Sequence, residues 1–263
     1  MIGVMVDIEY PRAYRSLLNL GAQKKVKDFF GGKDLRPVID FGYVSSLNQR
    51  LYEIAEKIDS VVWEGIRQDL TELKARHIDH AYGLIKENDI IPRLNNRGRR
   101  CEEVYFSWMR GYVLANYFTK ALAFTFGVDE GAIETIGDDD LQRVETFKQT
   151  PAADLEITKG EERLRIEMQT GFTGINDIKE HKVREAKRIF NESGQSTLVV
   201  HLDLFNGLGA MVKLNTIEDD SVQWITRQQM EGQTVFEINP NDFLWKLVEK
   251  PLKYEEYVAL VQR

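Results

Sequence analysis

Several things are scarce in this chain, and each shortage excludes something. Cys101 is the single cysteine among 263 residues. That rules out an internal disulfide and a zinc site built from several thiolates, and it points to a reducing compartment, the cytoplasm. The four histidines, His77, His80, His181 and His201, are scattered. His77 and His80 could share a helix face, but no HExxH-type glutamate stands between them, so a solvated face is the simpler reading. No run of 18 apolar residues occurs, so no membrane span is expected. The first residues, MIGVMVDIEYPRAYRS, show no charged segment leading into a long apolar one, so no secretory signal is expected. Positive charge is also short, with 35 Lys and Arg against 42 Asp and Glu, net −7. A non-specific polyanion binder is usually basic, so the total argues against one.

What basic charge there is comes in clusters. Arg93, Arg97, Arg99 and Arg100 crowd the stretch IPRLNNRGRR, and KEHKVREAKR covers residues 179–188. Two local basic segments on an acidic protein fit a DNA cleft as well as they fit solvated surface. The apolar fraction, 43%, is that of a globular chain with a real core.

Periodicity divides the chain. A helical pattern follows Pro11, ended by Gly31-Gly32 and Pro37. Apolar residues three and four apart, from Leu51 to Leu73, predict one long helix from Ser45 or Ser46 to about residue 87. A further helix is predicted from Glu102 to Phe126, stopped by Gly127; its many aromatics read as core. The period then shortens. Strands are predicted at 132–136, 152–158, 163–169, 196–205, 210–214 and 235–238, and helices at 176–192, 242–249 and 252–262. This is an α/β chain with a mixed central sheet flanked by helices, residues 93–263, after an N-terminal helical segment, residues 1–92, suited to dimerisation or to clasping DNA.

Residues 150–171, TPAADLEITKGEERLRIEMQTG, carry the most information. Leu155, Ile157, Leu164, Ile166 and Met168 alternate with Asp154, Glu156, Arg165, Glu167 and Gln169, the period of two of a half-buried hairpin. Gly160-Glu161 suits a two-residue type II′ turn, and that turn makes position i face position 321 − i. Asp154 then faces Glu167, and Glu156 faces Arg165. Like charges placed opposite each other destabilise a sheet, so the acidic pair calls for something positive between them, most simply a metal ion. Glu156 drops out as a ligand because Arg165 neutralises it.

A helix, a three-stranded meander with an acid on its second strand and E-x-K on its third, then a helix and a central strand resembles the PD-(D/E)XK nuclease superfamily. The resemblance spans about residues 100–215 and rests on Pro151, Asp154 and Glu167-Met168-Gln169, an E-x-Q in place of E-x-K. Some type II restriction endonucleases carry Gln there. The resemblance implies a restriction-endonuclease-like core and a Mg²⁺-dependent, sequence-specific double-stranded DNA endonuclease of a restriction system, acting as a homodimer. It implies Asp154, Glu167 and the Met168 carbonyl as metal ligands, Gln169 near the attacking water or the phosphate, and Glu103 (or Glu102) as an acid on the preceding helix. Arg97, Arg99 and Arg100 are candidate DNA contacts. So are Asn176, Lys179 and Lys182 in the segment after Gly171, where Asn176 is also a candidate helix cap. Without a third-strand lysine the general base is open, and a non-catalytic DNA-binding or assembly protein on a nuclease-like core is the alternative. Asp138-Asp139-Asp140 points its side chains in different directions and reads as a loop or helix-start feature.

Overall fold

The computed structural model describes residues 9–32, 34–94, 99–136, 153–160, 162–228 and 232–261. Arg97, Pro151, Glu161 and Asp138-Asp139-Asp140 lie outside them. The N-terminal third is helical: α1 (Tyr10–Leu17), α2 (Gln23–Phe30), α3 (Phe41–Val61), α4 (Leu70–Leu73), a π-helical stretch Lys74–His80, and α5 (Ala81–Glu87). The single long helix expected over 45–87 is interrupted. Val62 turns extended, and Glu64–Ile66 forms one 3-10 turn before α4 starts under an Asp69 cap. Asp40 likewise caps α3 by accepting the Tyr43 N–H. α6 (Cys101–Tyr117) and α7 (Thr119–Phe126) follow, broken at Phe118 where one continuous helix is predicted.

The central sheet has six strands in the order β1 (Ile133–Thr135), β2 (Leu155–Lys159), β3 (Glu162–Gly171), β5 (Ser196–Asp203), β6 (Leu208–Lys213) and β9 (Trp245–Lys246). β3 and β5 are parallel and all other neighbours are antiparallel. A parallel pair needs a crossover, and α8 (Glu180–Ser193) provides it. β4 (Asp177–Lys179), β8 (Gln233–Glu237) and β7 (Ile225–Arg227) form a small second sheet. The last helix is α9 (Tyr254–Val261). The helix expected at 242–249 is a 3-10 turn, Pro240–Asp242, and then β9. Asn239 does cap that turn, but Trp245 pairs with Gly209 at the sheet edge and ends helical winding.

The alternation of β3 and β5 sorts the layers. Leu164, Ile166, Met168, Leu198, Val200 and Leu202 join the main core, which also holds residues of α3, α5, α6 and α7. Each fully buried aliphatic side chain there contributes about 1.5–3 kcal/mol. The helices before residue 92 thus share one core with the sheet. Val199, Ala210 and Val212 on the opposite face pack with Ile178, Val183, Ala186 and Phe236 of α8 and the small sheet. Three layers result, and the face between sheet and α8 receives the polar residues of β3.

Candidate active site

The β2–β3 hairpin has the register that its turn implies. Leu155 pairs Ile166, Glu156 pairs Arg165 and Lys159 pairs Glu162. Gly160 sits at φ 64, a conformation in which other residues are strained. The ladder ends at Leu155. Asp154 lies one residue beyond it; its N–H donates to the Ile166 carbonyl and its Oδ2 accepts the Met168 N–H at 2.6 Å. Asp154 therefore grips the edge of β3 beside Glu167 without being its ladder partner. Glu156 is neutralised from a different quarter than expected. Arg163, diagonal to it, makes the ion pair at 3.5 Å and Gln195 Nε2 donates to it at 2.6 Å.

Glu167 is 7% exposed, too deep for a carboxylate to stay charged without a partner. Its partner is Lys182. From the first turns of α8 the Lys182 ammonium contacts Glu167 Oε1, while Oε2 carries no hydrogen bond among the described residues. Burial pushes the Lys182 pKa below the ordinary lysine value, opposed by the neighbouring Asp154 carboxylate. The acidic face thus contains a positive charge, and it is this side chain. Lys182 does not face outward as a DNA contact. Its position in the helix could have revealed this: Lys182, Ala186 and Ile189 recur at four and three, which puts a lysine on the inward stripe. Arg165 and Thr197 complete the cleft with Glu167, Lys182 and Glu185, and Arg165 Nε and Thr197 Oγ1 are buried there without partners.

Gln169 points to the same face as Glu167. Its Nε2 donates to the Asp177 carbonyl at 2.6 Å, and its buried Oε1 has no partner. A carbonyl can only accept, so the amide orientation is fixed. Gln169 has an acceptor to offer, which suits the O–H of a water and does not suit a phosphate oxygen. Asp177 is itself buried and held by Arg227 Nε at 2.8 Å.

Beside Gln169 on β5 stands His201, 1% exposed. Its Nε2 lies 2.8 Å from Asn176 Oδ1, and Asn176 Nδ2 donates to Asp203 at 3.0 Å. A Cβ at Gly171 would lie 3.2 Å from the His201 ring and 3.3 Å from Asn176 Oδ1, so a side chain there would push on this layer by a few tenths of an ångström. Asn176 is therefore an internal tie rather than a helix cap or a free DNA contact. Burial pushes the His201 pKa down to about 4, against the pull of Asp203 and Asp177. The unfolded imidazole titrates near the usual 6.5, so between that value and about 4 only the unfolded chain binds the proton. Stability is full above pH 6.5 and falls as the pH drops through this window, by on the order of 3 kcal/mol. Urea unfolding of wild type and His201→Gln at pH 7 and pH 4 checks this. Wild type should lose more stability than the variant on acidification, and equal losses would count against a neutral buried His201.

The remaining candidates are dispersed. Glu103 begins α6, which packs on the other face of β3, and Glu103 makes no bond to the Asp154–Glu167–Lys182 group among the described residues. Glu102 is structural. Burial raises its pKa, but the Asp40 N–H and Arg100 outweigh that and hold it below the ordinary value. Arg100 also lies 4.7 Å over the Tyr43 ring. Arg99 is exposed, and Lys179 is half-buried in β4 at the start of α8.

The donor set fits Mg²⁺. Along a strand, residues two apart turn their backbone groups to the same edge. The Met168 carbonyl therefore faces the edge that Asp154 caps, beyond the last β2 ladder pair at Leu155. Asp154, Glu167 and that carbonyl offer oxygen ligands to an ion that keeps several waters. Among the described residues no three His, Cys, Asp or Glu side chains gather into a metal cluster.

No protein-family model and no curated protein matches the chain. Among solved structures it is similar to Hjc, a Holliday junction resolvase from Archaeoglobus fulgidus, with a TM-score of 0.32 and 12% identity, over 51% of this chain and 96% of that one. None of the helices among the described residues is long and apolar enough to cross a membrane.

Proposed function

We propose that the chain is a Mg²⁺-dependent DNA endonuclease of the PD-(D/E)XK kind, in which Lys182 on α8 stands in for the lysine that the E-x-Q strand lacks. The observation that carries this reading is the meeting of Asp154, Glu167 and Lys182 at the edge of β3 beyond the end of the β2 ladder. Two carboxylates and one ammonium, from three elements, is the residue set that the superfamily motif calls for.

Asp154, Glu167 and the Met168 carbonyl would hold the ion. When bound, Mg²⁺ lowers the pKa of a coordinated water and offsets charge on the phosphate. Gln169 Oε1 accepts a hydrogen bond from the attacking water and aims its oxygen at phosphorus. A P–O bond to that oxygen forms as the bond to the leaving oxygen breaks. Lys182, as an ammonium, balances the negative charge that grows on the phosphoryl oxygens. Its lowered pKa also eases transfer of its proton to the leaving oxygen. Amide Gln169 cannot take a proton near neutral pH, so the water's proton passes to solvent or to a phosphate oxygen.

The finer reading is a type II restriction enzyme: a homodimer cutting both strands of a two-fold site in the cytoplasm. Digestion of a sequenced plasmid with Mg²⁺ or with EDTA tests it. Discrete fragments with Mg²⁺ alone are expected. A smear or random nicks would remove site specificity, and no metal-dependent product on any DNA would remove the nuclease. One observation favours a rival: Lys182 already neutralises Glu167, so the pair could serve as a structural bridge in a non-catalytic DNA-binding protein. That rival predicts DNA binding with no cleavage.

A further inference from the structure

α6 carries a second feature at the far end of β3. Glu103, Phe106 and Arg110 follow one another at three and four residues on one stripe of α6, and Arg99 lies just before the helix. The Arg110 guanidinium lies 4.4 Å over the Phe172 ring and 5.6 Å from that of Phe106. Its Nε is buried without a partner. Arg99 donates to the Glu103 backbone carbonyl at 3.4 Å. Neither arginine has a carboxylate partner among the described residues, whereas Arg100, Arg163, Arg188 and Arg227 all do. Burial and the neighbouring Arg99 both push the Arg110 pKa down, so the two guanidiniums repel each other. In a chain of net charge −7, two arginines with no carboxylate partner among the described residues offer positive charge to an anion.

What surrounds them is apolar and exposed. Phe172 is 52% exposed and Phe205 69%, each following the C-terminal end of a parallel strand. Ligands of open α/β sheets dock at such ends. The two loops touch, since a Cβ at Gly174 would lie 3.5 Å from the Phe205 ring. Arg110 covers one face of Phe172 and leaves the rest of the ring to solvent. A phenylalanine offers no hydrogen bond to a base edge. It offers a flat surface for an unpaired base of any type, next to cations for its phosphate. Phe172 follows Glu167 by five residues, about 16 Å along a strand, and meets Arg110 of α6 whereas Glu167 faces α8.

We propose that Arg99 and Arg110 contact the phosphate backbone of DNA while Phe172 and Phe205 stack on unpaired bases beyond the C-terminal end of β3, away from the scissile phosphate. The preferred substrate is accordingly DNA with a single-stranded discontinuity near the cut. This rests on the DNA-nuclease reading alone and departs from the restriction-type reading, whose substrate is intact duplex.

Fluorescence anisotropy in EDTA, where no cleavage occurs, tests it with the whole chain and two labelled probes: a plain duplex, and the same duplex carrying a short single-stranded flap. Wild type should bind the flapped probe about tenfold tighter. Phe172→Ala and Phe205→Ala should remove that preference and keep the duplex affinity. Arg110→Gln should weaken binding to both probes and lower the salt slope by about 1. Equal affinity of wild type for the two probes, or an unchanged preference in Phe172→Ala, overturns the stacking site while the nuclease reading stands. Failure of wild type to bind either probe overturns both.

Discussion

Lys182→Met should lower metal-dependent DNA cleavage by about 10²-fold or more and destabilise the fold by about 3–5 kcal/mol, because it leaves Glu167 buried without its partner. The two effects separate in a second variant. Lys182→Arg keeps a cation against Glu167, so urea unfolding should show most of the stability restored. A guanidinium is larger and cannot release its proton, so cleavage should stay well below wild type. If Lys182→Met cleaves DNA at the wild-type rate, the lysine is only a structural bridge.

Asp154→Asn should abolish cleavage with little cost to the fold. The asparagine carbonyl oxygen can still accept the Met168 N–H that Asp154 Oδ2 accepts now, so stability should change by about 1 kcal/mol or less. What is lost is a negative oxygen ligand for a hard cation. Single-turnover rates across a Mg²⁺ titration should fall about 10³-fold and saturate at a higher metal concentration. A wild-type rate in this variant would remove Asp154 from the site.

Much of this site was legible from residue order because it lies on a hairpin. A period of two fixes which side chains share a face, and a two-residue turn fixes which positions face each other. The register of Glu156 on Arg165 and Leu155 on Ile166 follows from those two facts. Contacts between residues far apart in the chain are not legible in this way. Lys182 reaches Glu167 from α8, and no local rule links residues 15 apart on different elements. Its inward place beside Ala186 and Ile189 was the available clue. The ion pair of Glu156 with Arg163 rather than Arg165 was a rotamer choice that register alone does not decide.

The fold divides along the same line. The mixed sheet and the helix that becomes α8 follow from periodicity. The breaks do not. The helix break at Val62 to Ile66 and the conversion of 242–249 into a 3-10 turn and an edge strand are set by packing, with the Trp63 N–H held by the Leu247 carbonyl and Trp245 paired to Gly209. Apolar residues three apart continue across both places, so helical periodicity passes over them. Short strands such as β4 and β7 escape for a related reason, since three residues carry too little pattern and gain their stability from β8 between them. Asn176, read as a helix cap, instead bonds His201 and Asp203 across the layer, because β4 intervenes before α8 begins.

The central claim is that Asp154 and Glu167, at the edge of β3 beyond the β2 ladder, hold a cation on which DNA is hydrolysed. Glu167→Gln tests it most directly, since it keeps the size of the side chain and a hydrogen-bond acceptor for Lys182. Its single-turnover cleavage of supercoiled plasmid in Mg²⁺ should be at the level of wild type in EDTA. Cleavage by Glu167→Gln at the wild-type rate, with the same metal dependence, would contradict the account.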